Sequence, residues 1–316
     1  MVANREFKFI TQKFDIPHRF SSEIWEIRES VVLREEINSQ SFVYGEIAPV
    51  PGFPNQPTIE RVLHEAEIWK SHAQLPEVSA LLPALSCMKS EIWKEPKHEN
   101  IKHFLGSLLF NPTTSEDHHC VKRKIGIMPV KEEVNIVKQW LSRLEPNCHV
   151  RLDANGSLTI EEMKLWVDAL ANENRIQFLE QPLCDDLRDE LFAFVKNSPI
   201  PLAIDETIVA LGNPYVALEN GWTGQFVIKP TLLNDWNASL DFVKEYPTKA
   251  ILSTAFESPF GYEALIRACR FSELAPGITR GPFSHLDTEL SSHHAANLYS
   301  PSASQTELNE LWSKII

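Results

Sequence analysis

Five short apolar runs in this chain finish on charged residues, and those charged ends recur at nearly constant intervals. The runs are VKRKIGIM, CHVRLDAN, IQFLEQP, IPLAIDET and GQFVIKP, and they place Lys122 and Lys124, then Asp153, Glu180, Asp205 and Lys229. From Lys124 onward the steps are 29, 27, 25 and 24 residues. A strand, a turn and an amphipathic helix consume about that much chain. Repetition of the unit gives right-handed crossovers and a parallel sheet. The expectation is a parallel β/α barrel whose chemistry gathers at the rim formed by the carboxyl ends of its strands.

The segments between the runs agree with this. Helical patterns cover 131–144, 160–172, 185–196 and 236–246. In the second of these, Thr159 precedes an acidic first turn containing Glu161 and Glu162, as a helix N-terminus favours. Before residue 104 the texture differs. Residues 6–52 read as antiparallel strands, clearest at Val31–Leu33 and Phe42–Ile47, and Pro49-Val50-Pro51-Gly52-Phe53-Pro54 has to be a loop. Two helices are expected next, Ile59–Lys70 behind the N-cap candidate Thr58 and Val78–Trp93. The tail from Gln305 reads as a helix packing back on the N-terminal part. The domain expectation is therefore 1–103, then a barrel over 104–289, with 290–316 returning to the first domain.

An acid after a strand often does no more than cap the next helix. That explanation fails for the whole series, because lysine does not cap helix N-termini and Lys229 runs directly into Pro230. Asp153, Glu180 and Asp205 fall on three consecutive strands, and adjacent strands lie about 4.8 Å apart. Two carboxylates about 4 Å apart repel by about 4 kcal/mol at an effective dielectric near 20. Such a set needs a cation or shared protons. Three oxygen donors suit a hard divalent ion, Mg²⁺ first and Mn²⁺ as a substitute, rather than zinc. If Lys122 and Lys124 lie on the second of eight strands, Lys229 lies on the sixth, across the bore. A carboxylate substrate at the cation would then sit between Lys124 and Lys229. The charge of Lys122, two residues away on the same face, and partial burial would lower the pKa of Lys124 toward that of a usable base.

Bulk properties narrow the partners. A net charge of −13 argues against nucleic acid and against anionic membrane surfaces. No apolar run approaches the roughly 20 residues that span a bilayer, and MVANREFKFI lacks a signal-peptide core. Five scattered cysteines read as reduced thiols in a cytoplasmic protein. Asp117-His118-His119-Cys120 is taken as a polar turn before a strand, and Trp93, Trp140, Trp166 and Trp236 as core or domain contacts.

Taken together, KRK at 122–124, LDANGSLT at 152–159, FLEQPL at 178–183, AIDET at 203–207 and VIKP at 227–230 resemble the enolase superfamily, and within it the o-succinylbenzoate synthase family. YGEIAPVPGF at 44–53 is similar to the family's N-terminal substrate loop, STAFESPFG at 253–261 to its seventh-strand segment and HLDT at 285–288 to its eighth-strand end. The resemblance implies a (β/α)7β barrel under an α+β capping domain. It implies metal ligation by Asp153, Glu180 and Asp205, catalysis by Lys124 and Lys229, and an auxiliary cation at Lys122. Asn155, Ser253, Thr254 and Glu257 fall in stretches that contact substrate. The implied reaction is a Mg²⁺-dependent syn-dehydration of a cyclohexadiene carboxylate on the route to menaquinone or phylloquinone. The N-acylamino acid racemases and dipeptide epimerases share the two-lysine arrangement and stay open as the alternative.

Overall fold

Alternating apolar and polar residues make the N-terminal segment pair as strands. The computed structural model describes residues 4–20, 23–38, 41–71, 77–94, 104–105, 107–109, 119–278, 298–299 and 303–315. Strands β1 (Arg5–Phe20), β2 (Glu23–Asn38) and β3 (Ser41–Ile47) form an antiparallel sheet in that order. Val31, Val32 and Leu33 are all fully buried, so both faces of the central strand β2 are covered. Helix α1 (Ile59–Ser71) follows the expected loop, with the Thr58 hydroxyl accepting the Arg61 N–H at 3.3 Å.

The single helix expected over 78–93 is instead a short helix α2 (Leu82–Met88) between two 3-10 turns, Ser79–Leu81 and Glu91–Trp93. Pro83 sits in the first turn of α2, where its missing N–H costs nothing. Ser90 is extended and stops the helix before Trp93. Gly45 lets α2 lie directly on β3, because a Cβ there would come within 2.2 Å of the Ala84 carbonyl oxygen.

A second sheet holds seven strands. It runs β5 (Leu108–Leu109), β6 (Cys120–Lys124), β7 (His149–Asp153), β8 (Ile176–Glu180), β9 (Leu202–Ile204), β10 (Gln225–Ile228) and β11 (Ala250–Leu252), each parallel to the next. Helices α3 (Val130–Leu141), α4 (Ile160–Leu170), α5 (Arg188–Phe194), α6 (Glu206–Leu211), α7 (Pro214–Glu219), α8 (Trp236–Glu245) and α9 (Pro259–Cys269) connect and follow these strands. The sheet closes on itself. Pro276 accepts the Ser107 N–H at 2.8 Å beside the first strand, while Gly277 donates to Leu252 at 2.8 Å on the seventh. Residues 276–277 therefore stand in the eighth place. The expected eighth-strand end, 285–288, lies outside the described residues. The architecture is the expected barrel with an α+β cap.

Separate from the barrel sheet, β4 (Phe104–Leu105) pairs antiparallel with β12 (Leu298–Tyr299). Helix α10 (Gln305–Lys314) opens on a Ser304–Glu307 capping box and packs on the cap. Tyr44 of β3 stacks on Phe260 of α9 at 5.0 Å, and Trp312 of α10 meets both rings, at 6.1 and 5.6 Å. Full burial of aromatic side chains contributes about 2–3 kcal/mol each, so this junction joins cap, barrel and C-terminal helix through one apolar core.

Candidate active site

Side-chain alternation carries the charged residues into the barrel. Phe178, Ala203, Val227 and Ile251 form an apolar cluster of their own inside the sheet, with the buried Arg151 guanidinium over Phe178 at 5.1 Å. Two residues further along each strand, on the same face, come Asp153, Glu180, Asp205, Lys229 and Ser253. Lys122 and Lys124 occupy the matching end of β6, where Lys124 pairs with Asp153 in register. The rim thus draws its chemistry from six adjacent strands, β6 to β11.

The three carboxylates are almost fully buried, at 2%, 1% and 1% exposure for Asp153, Glu180 and Asp205. Lys122 Nζ donates to Asp153 Oδ2 at 2.8 Å and to Glu180 Oε1 at 2.6 Å, and Lys229 is ion-paired with Asp205. Lys122 therefore reaches in among the acids rather than standing to one side of them. Among the described residues, no three Asp, Glu, His or Cys side chains close on one ion-sized point. The chemistry of the set still fits a hard cation. All donors are carboxylate oxygens, and Asp205 Oδ1 is buried without a hydrogen-bond partner among the described residues, a group that a cation would satisfy.

The charges set one another's protonation. Burial, then the charge of Asp153, pushes the Glu180 carboxyl up to about 7. Burial also raises Asp205, whereas Lys122 and Lys124 overcome burial and lower Asp153. The two lysines named as catalysts move in opposite directions. Burial takes Lys124 below the ordinary lysine value, with the charge of Lys122 adding to it against the pull of Asp153. At Lys229, burial is outweighed by Asp205 and Glu206, and the ammonium is held above that value.

Above the rim is a cavity of about 780 Å³, lined by the cations Lys122, Lys124 and Lys229 and by the aromatic rings of Trp25, Phe53 and Phe256. Lys229 Nζ lies 5.8 Å from the Phe53 ring centre, within cation–π range. Asn155, Ser253 and Thr254 also line it, whereas Glu257 is buried behind the wall. Asn155, Gln181 and Phe256, all at this rim, have positive φ values of 46°, 37° and 62°. Non-glycine residues there cost of order 1–2 kcal/mol each.

Four residues of this site escaped the sequence reading. Gln181 accepts the N–H groups of Asp205 (2.9 Å) and Thr207 (3.1 Å) and donates to Leu183 O and Thr207 Oγ1, both at 2.8 Å. Glu206 is half-buried and accepts from Asn155 Nδ2 at 3.0 Å. Trp25 and Phe256 supply the aromatic wall. Each belongs to a segment already singled out or to the cap, but no spacing rule pointed to it. The remaining sequence signals are structural. Trp93, Trp140, Trp166 and Trp236 are buried, and all five cysteines are free. Asp117 and His118 lie outside the described residues. No helix among the described residues is long and apolar enough to cross a membrane.

A sequence profile of the family described as Enolase C-terminal domain-like matches residues 113–233, which contain the charged rim from Lys122 to Lys229. Over that stretch the chain is similar to the enolase C-terminal domain. Among similar proteins, the o-succinylbenzoate synthase of Thermosynechococcus vestitus is 28% identical over 263 residues, covering 77% of this chain and 81% of its own. The structure of o-succinylbenzoate synthase from Thermosynechococcus elongatus, complexed with Mg in the active site, superposes with a TM-score of 0.78 at 22% identity, over 98% of this chain and 99% of that one. The L-Ala-D/L-Glu epimerase of Bacillus subtilis shares the fold at a TM-score of 0.73 and 13% identity, over 95% and 96% of the two chains.

Proposed function

We propose that this chain is an o-succinylbenzoate synthase, a hydro-lyase that removes water from 2-succinyl-6-hydroxy-2,4-cyclohexadiene-1-carboxylate to give 2-succinylbenzoate, on the route to menaquinone or phylloquinone. The observation that carries the reading is the pairing of Lys124 and Lys229, on the second and sixth strands of the barrel, across one cavity with an aromatic wall. Relatives bearing that name, at 28% and 29% identity over most of the chain, support it. So does the match between a flat carbocyclic acid and a cavity lined by both cationic and aromatic side chains.

In this reading Asp153, Glu180 and Asp205 hold Mg²⁺, which when bound supplies Lewis-acid polarisation of the substrate carboxylate. Lys124, with its lowered pKa, takes the proton from the carbon bearing that carboxylate. Lys229 stays protonated and sets its charge against the developing anion. Lys124 then returns the proton to the leaving hydroxyl on the same face. One C–H and one C–O bond are broken, one water leaves and the ring becomes aromatic. Lys122 holds Asp153 and Glu180 in place. The cap closes the cavity over the ring through Trp25 and Phe53.

The second reading, N-acylamino acid racemase or dipeptide epimerase, rests on the same lysine pair, since two facing bases suit a 1,1-proton transfer. Both reactions are to be assayed with and without EDTA. Dehydration should exceed racemisation in kcat/KM and should stop on chelation. A larger kcat/KM for racemisation of an N-succinyl amino acid would replace the first reading with the second.

A further inference from the structure

Cap and barrel meet over three buried charged side chains, Arg28 of β2, Glu46 of β3 and Glu257 of the turn after β11, exposed by 2%, 2% and 1%. Each fastens segments that carry cavity residues. Glu46 accepts the Ser258 N–H at 2.8 Å, the Ser258 hydroxyl at 2.5 Å and the Gly261 N–H at 2.9 Å. A carboxylate from the cap thus satisfies the first turn of α9, which otherwise leaves N–H groups without acceptors. A Cβ at Gly261 would lie 2.4 Å from Glu46 Oε2, so the approach is open only to glycine.

Glu257 accepts the hydroxyls of Thr254 (2.6 Å) and Thr231 (2.7 Å) and the Ala255 N–H (3.0 Å). It therefore ties the seventh-strand turn to the segment just past Lys229. Arg28 donates to Ala255 O at 3.2 Å and to the carbonyls of Ala48 and Pro49, at the root of the loop that carries Val50 and Phe53. Burial lowers the Arg28 guanidinium to about 10 against the pull of Glu257 and Glu46, which leaves it charged at neutral pH. Between these anchors Phe256 is held at φ 62° with its ring edge-on to Phe14 at 5.8 Å.

We propose that Arg28, Glu46 and Glu257 are positioning residues that lock the cap loop and the seventh-strand turn in one register, so that Val50, Phe53 and Phe256 form a single rigid wall selecting a flat ring over a flexible acyl chain. The selectivity rests on the substrate assigned above; the mechanical coupling does not.

The experiment pairs steady-state kinetics with amide hydrogen exchange on Glu46→Gln and Arg28→Lys. Glu46→Gln should raise KM for the cyclohexadiene acid about tenfold with kcat within about threefold, and should narrow its preference over an N-succinyl amino acid. Exchange should quicken at 255–261 and, together with it, at 50–53, although Glu46 bonds only to the former. Arg28→Lys should behave alike, because one ammonium cannot reproduce the forked donation. Exchange changes confined to 258–261, or an unchanged KM, overturn the proposal. Ser258→Ala, which removes the hydroxyl's bonds to Glu46 and to the Phe260 N–H but leaves the Glu46 carboxylate in place, carries the same readouts if Glu46→Gln does not fold. Wild-type protein that fails to turn over the cyclohexadiene acid sinks the functional reading, and the exchange arm alone then decides the coupling.

Discussion

Lys229 and Asp205 form an ion pair between the ends of two neighbouring strands, with Asp205 buried and Lys229 largely so. Buried pairs of this kind contribute little net stability, because desolvation offsets the Coulomb attraction. Their presence at a cavity wall points to chemistry. Lys229→Ala should lower kcat by about 10² to 10⁴ while the protein stays folded, since burial has already raised the Asp205 carboxyl and it can take up a proton in place of its partner. Melting curves run beside the kinetics check this. A collapse of the fold with no separate catalytic defect would count against a catalytic role.

Asp205→Asn removes one of three negative charges from the oxygen set. Mg²⁺ affinity should fall about tenfold or more, with activity falling in step at limiting metal. Calorimetric titration of both proteins with Mg²⁺ is the measurement, and equal affinities would remove Asp205 from the ligand set.

Gln181 is fully buried and makes four hydrogen bonds. Gln181→Leu leaves the Asp205 and Thr207 N–H groups without that acceptor, and each unsatisfied buried group costs about 1–3 kcal/mol. A loss of roughly 2–4 kcal/mol in urea unfolding is expected, accompanied by reduced turnover as the Asp205 backbone shifts. A stability within experimental error of wild type would contradict it.

Acid should loosen the C-terminal helix. Burial works against the charge of Glu6, but its bonds to Arg34 and Trp312 prevail and hold its pKa below the ordinary value of 4.5. A depressed carboxyl stabilises the fold fully above the unfolded-state pKa and loses that contribution as pH falls through the folded-state pKa. The urea midpoint should therefore drop below pH 4.5, and Glu6→Gln should show a shallower drop. Trp312 fluorescence reports the transition. Parallel slopes for the two proteins would refute the assignment.

The barrel was legible because its signal is periodic: charged residues close five successive apolar runs at nearly constant intervals. The four-strand separation of Lys124 and Lys229 followed from counting the runs between them. The residues that hold the rim in shape were not legible. Gln181 and Glu206 follow Glu180 and Asp205 directly and look like loop filler until the backbone bends them inward. Trp25 lies on a strand whose partners are set by the cap hairpin, far away in sequence. The break in the helix expected over 78–93 depends on the extended backbone at Ser90 and on tight packing of Ala84 against Gly45, a tertiary contact that local apolar spacing does not encode.

The C-terminal helix completes the N-terminal sheet. Lys8 donates to the carbonyls of Trp312 and Ile315, Tyr44 donates to Asn309 at 2.9 Å, and the Arg34 guanidinium lies 4.4 Å over the Trp312 ring. The β1–β3 sheet thus cannot seal its core until α10, far downstream in the chain, has been translated. Until then a nascent chain must keep the open hairpin from aggregating. Any change that displaces α10 therefore acts on the cap.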